Sequence, residues 1–180
     1  MHQHLIREGS RTRCGIILES GGPREVHHFA LLFGYGAGAV NPYLAFETLA
    51  DFCRQGALKN GKGDLDYKTA EKQYLKGIRK GVLKVMSKMG ISTLHSYRGA
   101  QIFEAVGLNR DFVNDYFTHT ASRIEGIGID VVAEEIKRRH AWAYPAVDVP
   151  ENLDLDVGGH YQWRRRGEYR LVHPHDHGNL

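Results

Sequence analysis

The sequence predicts an α/β fold made of partial (β/α) barrel-like parallel strand-helix units, followed by a helical and irregular C-terminal extension. Three observations predict it. "CGIILES", Cys14 to Ser20, is a short continuous apolar run of the kind that forms a strand buried on both faces. Short β-like runs then alternate with segments of helical periodicity, the pattern that implies right-handed parallel crossovers. Glycine or proline punctuates most of the junctions between them. Three such strands are too few to close a barrel of the usual eight, so an incomplete layer is expected.

Each element follows from local chemistry. After Gly21-Gly22-Pro23, residues Val26, Phe29, Ala30 and Phe33 recur on one helical face, and Gly34, Gly36 and Gly38 end that helix. Ala39 to Tyr43 reads as a second strand, and Pro42 opens a helix with Leu44, Leu49, Phe52 and Cys53 at helical spacing before Gly56. "NGKGDLD" is a polar loop ending in Asp66, a good N-cap for a long helix from about Tyr67 to Met89. Its apolar positions are Tyr74, Ile78, Leu83, Val85 and Met86, its other face is lysine-rich, and Gly90 closes it. "ISTLHSY", Ile91 to Tyr97, is β-branched and short and reads as a third strand. "RGAQIFEAVG" reads as a compact helix carrying Ile102, Phe103 and Val106 inward. "NRDFVNDYF" is expected to be a short helix and "IDVVAEEIKRRHAWAY" a longer one with Val132, Ile136 and His140 on one face. Beyond Pro145 the chain is weakly periodic.

Composition bounds the function. At 180 residues, a single domain is the starting expectation. The longest apolar-leaning run, Phe29 to Val40, is too short to span a bilayer, and no secretory leader pattern precedes Arg13, so a cytoplasmic protein without membrane contact is expected. The net charge of +3 demands neither nucleic acid nor an anionic surface. Cys14 and Cys53 are the only cysteines, which rules out a four-cysteine metal site within the chain, and both read as small buried side chains.

The candidate motifs are weak individually. "GYGAGA", Gly34 to Ala39, lacks the spacing of a phosphate cradle and suits a tight helix-to-strand connection. His27 and His28 are helical neighbours that diverge by about 100° and so do not converge on one ion. "HPHDH", His173 to His177, has metal-ligand residues on a terminal tail, and "WRRRGEYR", Trp163 to Arg170, is a basic-aromatic cluster balanced by acidic neighbours. Lys84 and Lys88, four apart at the helix end, suit either contact with an anionic ligand or complementing the helix dipole. Ser96, Tyr97 and Arg98 follow His95 at the C-terminal end of the predicted third strand, where α/β folds place ligands. They are the candidate ligand residues, with structural hydrogen bonding as the alternative role, since no nucleophile, base and orienting acid can be assembled from spacing, and no catalytic residue is assigned.

Three long blocks carry a resemblance. "LIREGSRTRCGIILESGGPREVHHFALLFGYGAGAVNPYLAFETL", "KGIRKGVLKVMSKMGISTLHSYRGAQIFEAVGL" and "TASRIEGIGIDVVAEE" resemble the glutamate synthase large subunit, at the end of its central domain and the connection toward its FMN-binding domain. The resemblance runs from about Leu5 to Tyr169. It implies residues 1–108 as the C-terminal part of the central domain and 109–180 as a helical linker and extension. In that family an amidotransferase domain releases ammonia from glutamine, and a tunnel carries it to a flavin barrel with FMN and a [3Fe-4S] cluster, where 2-oxoglutarate becomes glutamate with electrons from NADPH or ferredoxin. The central domain is implied to be scaffold and tunnel wall, with Ser96, Tyr97 and Arg98 as tunnel candidates and the amidotransferase and FMN-binding domains as partners. The family's catalytic cysteine has no counterpart here, since the first cysteine, Cys14, lies within a predicted strand, and two cysteines cannot supply a three-cysteine cluster. No FMN, cluster or metal site is therefore expected in this chain. The alternative is a free-standing binding or interaction module for an anionic metabolite or partner subunit.

Overall fold

The computed structural model describes residues 1–61 and 63–145. The tail motifs Glu151–Asp156, Trp163–Arg170 and His173–His177 lie outside the described residues. Residues 1–134 form one compact unit, and the described residues from Glu135 belong to a second.

The chain opens with helix α1 (His2–Arg7) and a 3-10 turn (Arg11–Arg13). Strand β1 (Ile17–Glu19), helix α2 (Val26–Gly34) and strand β2 (Ala39–Asn41) make the first crossover, with β1 and β2 parallel and Leu18 opposite Val40. Helix α3 (Tyr43–Arg54) begins directly after Pro42. A small antiparallel pair, β3 (Lys59–Asn60) with β4 (Gly63–Asp64), leads into helix α4 (Tyr67–Lys88). Helix α5 (Leu94–Tyr97) is a single turn. Strand β5 (Glu104–Leu108), helix α6 (Arg110–Tyr116) and strand β6 (Ala121–Ile127) make a second crossover, again parallel, and helix α7 (Ile129–Ala143) follows. Parallel strand pairs flanked by helices make this an α/β fold, as the alternation in the sequence predicts.

The long helix behaves as read. Asp66 accepts from Thr69 N at 3.1 Å, and hydrogen bonding from Thr69 holds its carboxyl below the usual range. Gly90, with φ of +71°, takes the left-handed position past the C-terminus. Phe29 on α2, Val82 and Met86 on α4, and Tyr97 form the core, with Val26, Phe33, Tyr74, Ile78 and Val85 packed against them.

Four expectations need correction. Ile91–Tyr97 is not a strand: Thr93 caps a helical turn by accepting from Ser96 N at 3.2 Å, so the β-branched residues precede a helix instead of pairing. Residues 98–107 are not a helix: Glu104–Leu108 is β5, and Val106, expected inside, is 67% exposed. The faces of α3 and α4 are partly turned, because Ala45 is the buried residue of α3, Phe46 meets the Tyr74 ring edge-on at 6.1 Å, and Leu83 lies at the surface. Cys14 is exposed and Cys53 only half-buried.

Candidate functional site

Tyr97 is fully buried, closing the short α5 turn against the core. Its hydroxyl donates to the Ala30 carbonyl at 2.8 Å, tying α5 to the middle of α2. Burial raises its pKa, so the phenol is neutral at physiological pH and acts as a donor. Its ring meets Phe103 edge-on at 6.2 Å, Phe103 stacks on Tyr35 at 5.5 Å, and Tyr35 meets Phe117 at 5.2 Å. This aromatic series links the first crossover to the second.

The other two candidates point elsewhere. Ser96 is exposed, its N–H donating to Thr93 Oγ1 and its Oγ accepting from the same hydroxyl at 2.9 Å. Arg98 is half-buried and donates from Nη2 to the Ala37 carbonyl at 3.1 Å, while its Nε is buried with no hydrogen-bond partner. The three residues are neighbours in the chain without converging on a common point. His95 is exposed on the α5 turn and not at a strand end.

Sequence reasoning missed a basic cluster built on the chain's first turns. Arg11 donates from Nε to His2 Nδ1 at 2.8 Å, from Nη1 to the Cys14 carbonyl at 2.8 Å and from Nη2 to the Gly36 carbonyl at 2.9 Å. Arg11 and Arg98 thus hold consecutive carbonyls of the "GYGAGA" turn, which connects α2 to β2. Burial first, and then Arg11, lower the His2 pKa. A cleft of about 310 Å³ lies beside this cluster, bordered by His2, Arg7, Tyr35, Gln101, His119 and Thr120. Gln101 and His119 have φ of +49° and +67°, the non-glycine residues in left-handed conformation among the described residues. Nothing in local composition marks His2 or Arg11, because their partners are set by the α2–β2 turn, 25 residues away for Arg11.

The His2 contact gives a pH dependence. Its folded-state pKa lies below the ordinary 6.5, so the unfolded chain takes up the proton first as pH falls. The contribution is complete above the ordinary value and is lost as pH drops through the folded one. The urea midpoint should therefore fall between about pH 7 and pH 5, and the fall should shrink in His2→Gln. An unchanged pH profile in the variant would show that His2 does not carry it.

Among the described residues no group of three or more His, Cys, Asp or Glu side chains is placed to hold a metal ion. No helix among them is long and apolar enough to cross a membrane. His28 Nδ1 accepts from Arg24 N at 3.1 Å and Glu25 N at 3.2 Å, so it serves the start of α2, while His27 is exposed.

Fold and site together define an α/β module in which Arg11, Arg98 and the Tyr97 hydroxyl bind the chain's own backbone carbonyls. Comparison with known proteins places it. Residues 1–109 match the family model for the glutamate synthase central domain. The chain is 52% identical over 97% of its length to the glutamate synthase [NADPH] large chain of Bacillus subtilis, of which it covers 11%. It is 44% identical, over the same share, to glutamate synthase [NADH] of Schizosaccharomyces pombe, covering 8% of that protein. It is 41% identical to ferredoxin-dependent glutamate synthase 2 of Synechocystis, covering 97% of this chain and 11% of that protein. The chain belongs to the glutamate synthase central-domain family, and it spans about a tenth of the length of the curated relatives it matches.

Proposed function

We propose that this chain is a scaffold segment of a glutamate synthase, holding an amidotransferase domain and an FMN-binding domain in place and contributing to the wall between them, with no chemistry of its own. Residues 1–108 would be the end of the central domain and 109–180 the connection toward the FMN-binding domain. The observation that carries the reading is the unfinished state of its sheets. Among the described residues the β1–β2 and β5–β6 pairs have two strands each, and Ile17, Val106 and Ile124 are 80%, 67% and 63% exposed on them. Parallel sheets are normally covered on both faces, and two strands alone are marginal in water, so these pairs call for further protein.

The family's cofactors do not fit these residues. A three-cysteine cluster cannot be built from Cys14 and Cys53, and the N–H groups of Gly36, Ala37 and Gly38 in the "GYGAGA" turn, which would have to face a phosphate, already donate to the Phe33, Leu32 and Ile16 carbonyls. FMN and the cluster belong to the rest of the enzyme in this reading, as do glutamine, 2-oxoglutarate and a cytoplasmic setting. A tunnel or ligand role for Ser96, Tyr97 and Arg98 is part of the same proposal, supported by the buried, unpartnered Nε of Arg98.

The chain purified with excess FMN should be colourless and should form no glutamate from glutamine and 2-oxoglutarate. Stoichiometric flavin with turnover would end the scaffold reading. Arg7 on the border of the 310 Å³ cleft favours a second reading, an anionic-metabolite module. Saturable heat on adding 2-oxoglutarate to the same preparation, abolished by Arg7→Ala, would select it.

A further inference from the structure

Among the described residues the core along α4 is open on one side. Phe33, Val82 and Met86 floor a groove of about 540 Å³ whose border includes Leu75 and Leu83, 48% and 57% exposed. Through Leu75 and Arg79 it runs into a second depression of about 460 Å³, lined also by Lys68, Lys72, Lys76 and a single carboxylate, Glu71. Helix α4 carries six lysines and Arg79 against one carboxylate, Glu71, and none of these seven cations makes an ion pair among the described residues. The lysines fall at 68, 72, 76, 80, 84 and 88, the four-residue spacing at which like charges destabilise an isolated helix. Among the described residues the pattern is a cost, and an acidic neighbour would relieve it.

We infer that the α4 groove and its basic border dock an acidic amphipathic helix from an adjoining domain of the same polypeptide. Charge complementarity selects an acidic occupant, and exposed Leu75 and Leu83 beside a groove floored by Phe33 and Met86 select one with an aliphatic ridge. Nucleic acid fits worse, because the exposed apolar residues there are aliphatic and offer no ring for a base to stack on. The assignment to the same polypeptide rests on the scaffold reading and on relatives for which this chain is only 8 to 11% of the length.

The test titrates the 180-residue chain into a labelled helical peptide of about 18 residues with leucines on one face and glutamates beside them, read by fluorescence anisotropy. Saturable binding is expected, weakened about tenfold by leucine-to-serine changes in the peptide, by Leu83→Ser in the chain, and separately by Lys72→Glu with Lys76→Glu. These positions are exposed, and unchanged circular dichroism would confirm that the variants fold. No binding, equal binding of the serine peptide, or preference for a DNA duplex or phosphatidylserine vesicles would overturn the inference. Flavin uptake with turnover would remove the scaffold reading, whereas the peptide titration decides the surface independently.

Discussion

Tyr97→Ala should destabilise the protein by about 3 to 5 kcal/mol, enough to unfold much of a marginally stable domain. The ring is completely buried among Phe29, Val82, Met86 and Phe103, so its removal leaves a cavity as well as losing the transfer energy of the ring. Its hydroxyl bond to Ala30 is the smaller part. Ala30 lies within α2 and its carbonyl keeps a place in the helical ladder, so Tyr97→Phe should cost only about 1 kcal/mol. Urea unfolding of the two variants measures both. A loss under about 1 kcal/mol for Tyr97→Ala would mean that the site collapses and that Tyr97 does not organise this core.

Glycine-to-alanine changes one helical turn apart in α4 should act in opposite directions. Gly77 has nothing within 4 Å of an added Cβ, so Gly77→Ala should stabilise by about 0.5 to 1 kcal/mol through helix propensity. At Gly81 the same methyl would fall against both Val26 methyl groups, Cγ1 at 2.6 Å, where α2 crosses α4. The propensity gain is the same there, but β-branched Val26 has little rotamer freedom and the helices must separate. Overpacking of this kind costs about 1 to 3 kcal/mol, so Gly81→Ala should be net destabilising. Paired thermal melts decide it, and stabilisation by both changes would show that α2 and α4 do not approach this closely.

How far the sequence reaches depends on where hydrogen-bond partners lie. Helix α4 was legible from end to end because Asp66, the periodic apolar residues and Gly90 act within a few residues of one another. The first crossover was legible for a similar reason, its glycines and proline marking each junction. Between Ile91 and Leu108 the local signals misled. β-branched Ile91 and Thr93 suit a strand, yet Thr93 also caps, and among the described residues no neighbouring strand pairs with the segment. "EAVGL" became β5 only because Ala121–Ile127 returns beside it, with the register broken around Val106, and that segment carried no strand reading of its own.

The candidate site divides along the same line. Sequence picked out Ser96, Tyr97 and Arg98 as neighbours worth attention, but their roles come from residues dozens of positions away, Ala30 for Tyr97 and Ala37 for Arg98. His2 and Arg11 were invisible until the Gly36 turn was brought to them.

By itself, the sequence determined the α/β class, the family and the long capped helix, because repeated local patterns and long matched blocks need no knowledge of distant contacts. Only the tertiary structure decided which strands pair, which face of α4 is left open and which side chain bonds which carbonyl. Those outcomes depend on residues far apart in the chain meeting in space, and local propensity carries no information about such meetings.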